Sequence, residues 1–122
     1  MKHLSLLASV LLGLAALLAG ACSGGGDSQA KDGPTLFSRN GCVACHGHKL
    51  QGSSMAPALA GLAEHWTVED MVAYLADPKG YAAQDPRLSE QGKSYRTVMP
   101  PYANVSVEDR TVLAEWLLAG GS

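Results

Sequence analysis

The sequence predicts an all-α domain: three to five short helices joined by long loops around a centre that its own side chains do not fill. Three observations carry this. The chain has no Ile and eight Val among its 122 residues, so strands have little to build from. Two stretches, starting at Thr67 and Ser106, open with capping residues and continue with apolar residues at helical spacing. The segments between them are rich in Gly and Pro and longer than the connections of a compact domain, while seven aromatic residues supply a thin core.

In chain order, Met1-Lys2-His3 is a basic tip, Leu4 to Leu18 is almost all Leu, Ala and Val, and Ala19-Gly20-Ala21 are small. That is the pattern of a secretory signal over residues 1–21, with an apolar run short for a membrane span of about 20 residues. Cys22 follows, and the junction resembles a bacterial lipoprotein signal, in which the Cys is acylated and becomes the mature N-terminus. Ala19 stands where such signals more often carry Leu, and Ala19-Gly20-Ala21 also reads as an ordinary signal-peptidase site. Both readings cut before Cys22; the second leaves a freely soluble periplasmic protein. Residues 22–32 then form a Gly/Ser-rich tether from a lipid anchor, and residues 33–122 the domain. Ser23 is not the Asp that resembles an inner-membrane retention signal, which tilts the tether toward the outer membrane.

Asp32-Gly33-Pro34 starts a helix, because Pro fits a first turn; Leu36 and Phe37 give its apolar side and Asn40-Gly41 its end. Residues 46–65 read as loop. Thr67 caps a helix whose Val68, Met71, Val72 and Leu75 share one face, and Asp77-Pro78 stops it. Residues 78–105 hold five more Gly and Pro positions after Pro78 and read mostly as loop. Ser106 starts a last helix with Leu113, Trp116 and Leu117 on its apolar face, ended by Gly120-Gly121.

Composition removes several functions. Nine basic and eleven acidic residues give −2, without the basic excess of a nucleic-acid binder. Three Cys cannot pair completely, so this is no disulfide scaffold.

Cys42-Val43-Ala44-Cys45-His46 is the Cys-x-x-Cys-His signature of covalent c-type haem attachment. Two thiols one helical turn apart reach the two vinyl groups of one porphyrin, and His46 is then placed to ligate the iron from the same side. Export agrees with this chemistry. A structural zinc site needs four ligands, and there is no second Cys pair; a thioredoxin-like pair needs a strand–helix–strand context that is absent. Met55, Met99, His48 and His65 are candidates for the sixth iron position, while Met71 belongs to a helix face. His48 is too near His46 to cross the haem plane easily, and Met55 is nine residues from His46, just before Pro57.

With these residues in view, residues 33–119 resemble class I cytochrome c. The resemblance implies the small cytochrome c fold, wrapped around one covalent haem c. Gly33 and Phe37 match the family's Gly and aromatic four residues apart, and the resemblance implies that Phe37 packs across the final helix against Trp116, with Leu113 one turn earlier. It implies that the Pro57 carbonyl holds the His46 ring, that Trp66 reaches a haem propionate, that Leu75 packs on the porphyrin, and that Tyr74 approaches the sulfur of the second ligand. Val98-Met99-Pro100 is similar to the family's ligand loop, so Met99 is implied as the sixth ligand. Ala82 to Val98, with Arg87, Lys93 and Arg96, is longer than in the short mitochondrial members. It shields a propionate, docks an acidic partner, or is a solvated loop.

The function expected is a membrane-tethered periplasmic electron carrier, not an enzyme, with no small-molecule substrate and no nucleic acid. The resemblance implies a quinol-oxidising complex as donor and a terminal oxidase or reductase as acceptor. Two rivals stand beside it: an electron-entry subunit of a larger oxidoreductase complex, and a haem-based gas sensor or enzyme with a labile sixth ligand.

Overall fold

The structure is a computed structural model that describes residues 31–122; the signal segment, Cys22 and the tether as far as residue 30 lie outside the described residues. Among the described residues it is helical, with no strand. The order is α1 (Gly33–Arg39), α2 (Val43–His46), a 3₁₀ turn (Leu62–Glu64), α3 (Val68–Ala76), α4 (Pro78–Ala82), α5 (Pro86–Gly92) and α6 (Val107–Leu118).

Side-chain caps set the main starts. Asp32 accepts from Thr35 N at 2.8 Å, Thr67 from Asp70 N at 3.1 Å, and Ser106 from Asp109 N at 3.1 Å. Each satisfies one of the N–H groups that a first turn leaves without a partner. The hydrogen bonds from Thr35 hold the Asp32 carboxyl below the usual carboxylate range. Asp32 caps α1, and Lys31 Nζ lies 3.1 Å from Asp109 Oδ1 on α6, although both belong to the expected tether.

Residues 78–105 hold two helices where sequence reasoning expected mostly loop. The cause is a repeated Asp-Pro pair. Asp77 accepts from Gly80 N at 3.0 Å, and Asp85 Oδ1 accepts from Arg87 N at 2.9 Å and Leu88 N at 3.2 Å. Pro78 and Pro86 each occupy a first turn, where a missing N–H costs no hydrogen bond. The Pro that stops α3 thus also opens α4. Burial of Pro78 and Leu88 holds these short helices against the body, since pieces of this length are unstable alone.

α6 is the central element and packs against α1 and α3. Leu36 and Phe37 of α1, Met71 and Leu75 of α3, and Leu113, Ala114 and Leu117 of α6 form the buried core. At the α1–α6 crossing the Phe37 and Trp116 rings lie 5.4 Å apart at 57°. Gly33 makes that approach possible, because a Cβ there would sit 2.1 Å from Trp116 Cγ. Of the packing implied around α1, Phe37 does meet Trp116. No helix among the described residues is long and apolar enough to cross a membrane.

Gly33→Ala is expected to destabilise the protein by about 1–3 kcal/mol through overpacking at this crossing, read from the denaturant midpoint. Gly92→Ala is the control, since a Cβ there meets nothing within 4 Å. An equal loss in both variants would mean that the Trp116 contact is not the cause.

Candidate functional site

α2 is one turn long. His46 N donates to Cys42 O at 3.0 Å and Cys45 N to the same oxygen at 3.2 Å, so both Cys and the His issue from a single turn. Cys42 N donates to Phe37 O at 3.1 Å, which joins this turn to the end of α1. Cys42 and His46 are buried, Cys45 is half-buried, and both thiols are free. Burial pushes the Cys42 thiol up from its ordinary value, against a hydrogen bond with Tyr102. Burial likewise pushes the Tyr102 hydroxyl up to about 12.

All three face a cavity of about 590 Å³, within the size range of sites for small molecules and cofactors. Its far walls come from α3, α4, α5, α6 and the segment around Met99. Every sequence-predicted site residue among the described residues lines it: Cys42, Cys45, His46, Pro57, Trp66, Tyr74, Leu75 and Met99. Cys22 lies outside the described residues. Of the other candidate ligands, Met55 and His65 also line the cavity and are exposed, and buried Met71 reaches it from α3. His48 is exposed and does not line it.

His46 Nδ1 lies 2.8 Å from Pro57 O. A carbonyl can only accept, so Nδ1 carries the proton and Nε2 keeps its lone pair in the neutral ring. Such a partner fixes the ring and raises its basicity as a ligand. The loop that delivers Pro57 is tightly folded. Gly52 N donates to His46 O at 2.8 Å, Leu59 N to Leu50 O at 2.9 Å, and Ser53 Oγ to Cys45 O at 2.7 Å. Gly52 has φ +74, and a Cβ there would meet Ala58 N at 2.5 Å and Pro57 C at 2.7 Å.

The opposite side is aromatic. The Trp66 ring lies 5.0 Å from Tyr74 and 5.7 Å from Tyr81, and Tyr74 lies 5.9 Å from Tyr81. Burial pushes the Tyr74 hydroxyl up. Tyr102 N donates to Leu75 O at 2.8 Å and so ties the chain just after Met99 to α3. Met99 is half-buried and packs against the core. Sequence reasoning left Leu88 and Lys79 out of the site; both line the cavity because α4 and α5 fold back over it. The Asp-Pro caps were the signal that could have found them.

The donor set suits a large, mostly apolar group attached through two thiols and one imidazole. No cluster of three or more His, Cys, Asp or Glu among the described residues could hold a bare metal ion. Gly52→Ala is expected to cost about 1–3 kcal/mol in a denaturant titration, because strain at a positive φ adds to the clash with Pro57. The His46 Nδ1 proton should then exchange faster with solvent in NMR spectra. An unchanged exchange rate would mean that the loop does not hold the His46 ring.

The sequence profile of the family described as Cytochrome c matches residues 30–120. Cytochrome c-552 of Nitrosomonas europaea is 31% identical over 83 residues, which cover 68% of this chain and 73% of that protein. No solved structure matches the chain significantly. The match spans the whole helical domain and its cavity, and the chain belongs to the cytochrome c family: a class I, monohaem electron-transfer protein rather than an enzyme, with covalent haem c as its cofactor.

Proposed function

We propose that this protein carries single electrons in the bacterial periplasm, tethered to a membrane through acylated Cys22, with its haem iron held between His46 and Met99. The observation that carries the reading is the 2.8 Å contact between His46 Nδ1 and Pro57 O, on the same wall as the two free thiols. It leaves His46 Nε2 as a ligand of fixed direction.

Each of Cys42 and Cys45 would add its S–H across one vinyl C=C of the haem, sulfur to one carbon and hydrogen to the other. Nothing leaves and no oxidant is needed. Haem, when bound, supplies an iron that cycles between ferric and ferrous. The Met99 thioether, half-buried at the cavity wall, would be the second ligand to that iron, would favour its ferrous state and would leave no open site for oxygen or peroxide. Leu75, 2% exposed, would pack against the porphyrin, Tyr74 would stand near Met99 and Trp66 near a propionate; all four residues line the cavity. No residue has to act as acid, base or nucleophile.

The tether confines the search for partners to a layer beside the membrane, which raises their effective concentration. The donor is a quinol-oxidising complex and the acceptor a terminal oxidase or reductase. Ser23 after the anchor favours the outer membrane.

The periplasmically matured protein is expected to give a c-type absorption spectrum, with the weak long-wavelength band of Met sulfur on ferric iron. Met99→Ala should abolish that band and admit carbon monoxide to the reduced protein, while Met55→Ala should leave both unchanged. Retention of the band in Met99→Ala would remove Met99 as ligand. Cys22→Ser should release the protein from membranes and end its labelling by radioactive palmitate. Continued labelling would end the anchor proposal.

A further inference from the structure

We propose that Arg87, in the first turn of α5, is the positioned counter-cation of one carboxylate of the bound haem and holds the reduction potential up. The proposal rests on the haem reading of the cavity and adds to it a residue that sets the electrostatics of the site.

The cavity wall is unbalanced in charge. Arg87 and Lys79 line it, and among the described residues no Asp or Glu does. A group with two carboxylates therefore meets cations on that wall, and the Asp85 carboxylate, 3.3 Å from Arg87, does not line it. Arg87 is also held in place. Asp85 caps α5 and accepts from Arg87 N at 2.9 Å, which fixes the backbone, and buried Leu88 seats the helix against the cavity. Ser89 Oγ donates to Ala82 O at 2.6 Å and ties α5 back to α4.

The guanidinium lies 5.1 Å from the centroid of the Trp66 ring, within cation–π range. It pairs through Nη2 with Asp85 Oδ2 at 3.3 Å, which uses one of five N–H donors on a side chain 40% exposed. Asp85 Oδ1 accepts from both backbone N–H groups of its own helix, so only Oδ2 meets the guanidinium, through one nitrogen. The planar fork thus keeps donors for a second carboxylate beside Trp66, and Arg binds a carboxylate with two parallel hydrogen bonds where geometry allows. The positive charge of Arg87 acts on the site, since it opposes the upward shift that burial gives the half-buried Tyr74 hydroxyl. Lys93, paired with Glu90, and Arg96 share the stretch from Ala82 to Val98 but do not line the cavity.

A cation near the iron disfavours the ferric state, and neutralising a carboxylate acts in the same direction. The test is a potentiometric titration of haem-loaded Arg87→Gln, with resonance Raman spectra of the propionate bending mode. At fixed potential the oxidised-to-reduced ratio should rise about threefold, or ~28 mV at 59 mV per tenfold for one electron. The bending mode should shift. Arg87→Lys should recover most of the potential but not the bending mode, because the charge returns without the fork. It also decides the matter if Arg87→Gln fails to mature. Lys93→Gln and Arg96→Gln should move neither signal. An Arg87 variant whose potential and bending mode change no more than those of Arg96→Gln overturns this proposal alone. Absence of a c-type spectrum from the unaltered protein overturns it together with the haem reading.

Discussion

His46 Nδ1 and the Pro57 carbonyl oxygen are 2.8 Å apart, and much of the structure is arranged around that contact. Eleven positions separate the two residues, so the chain between them must turn back on itself. The bends at Gly47 and Gly52, with φ +78 and +74, and the hydrogen bonds from Gly52 N to His46 O and from Leu59 N to Leu50 O, make that return. The other end of the constraint is α1. Its last turn hands Cys42 N to Phe37 O, and Phe37 is pinned by Trp116 of α6. The wall that carries two thiols and an imidazole is therefore set by a helix crossing on one side and a folded loop on the other.

The opposite wall owes its position to tertiary contacts. α3 packs on α6 through Met71 and Leu75, and Tyr102 N to Leu75 O brings the Met99 segment beside it. α4 then adds Tyr81 to the aromatic group of Trp66 and Tyr74, and α5 brings Arg87 over Trp66. Their helices are too short to stand alone, and Pro78 and Leu88 are their buried anchors. One-electron transfer benefits from such fixed surroundings, because a site that rearranges little between two charge states adds little to the barrier.

Charge follows the same division of labour. The turn from Cys42 to His46 brings no carboxylate to the cavity, and α4 and α5 bring two cations, Lys79 and Arg87. The electrostatic character of the site is thus decided by the segment that adds least to the core. This is how a small domain can vary its potential while keeping its attachment chemistry, since the ligands and the surrounding charge lie on different elements.

The all-α class, the starts at Asp32, Thr67 and Ser106 and the attachment turn were legible in the sequence. These are local rules: a capping oxygen three residues from its N–H, an apolar face at helical spacing, and two thiols and an imidazole within one turn. The partners of Pro57 and Trp116 were readable only through family resemblance, because no local rule reports which distant backbone oxygen a ring nitrogen will find. α4 and α5 were missed because Asp-Pro was read only as a stop. Whether the same Pro opens a new helix depends on burial of Pro78 and Leu88, which is a tertiary contact. The place of Arg87 over Trp66 was likewise undetermined by sequence, since it needs α5 to exist and fold back. The sequence by itself determined what is attached and by which atoms; the tertiary structure alone decided what surrounds it, because those neighbours meet only across the folded cavity.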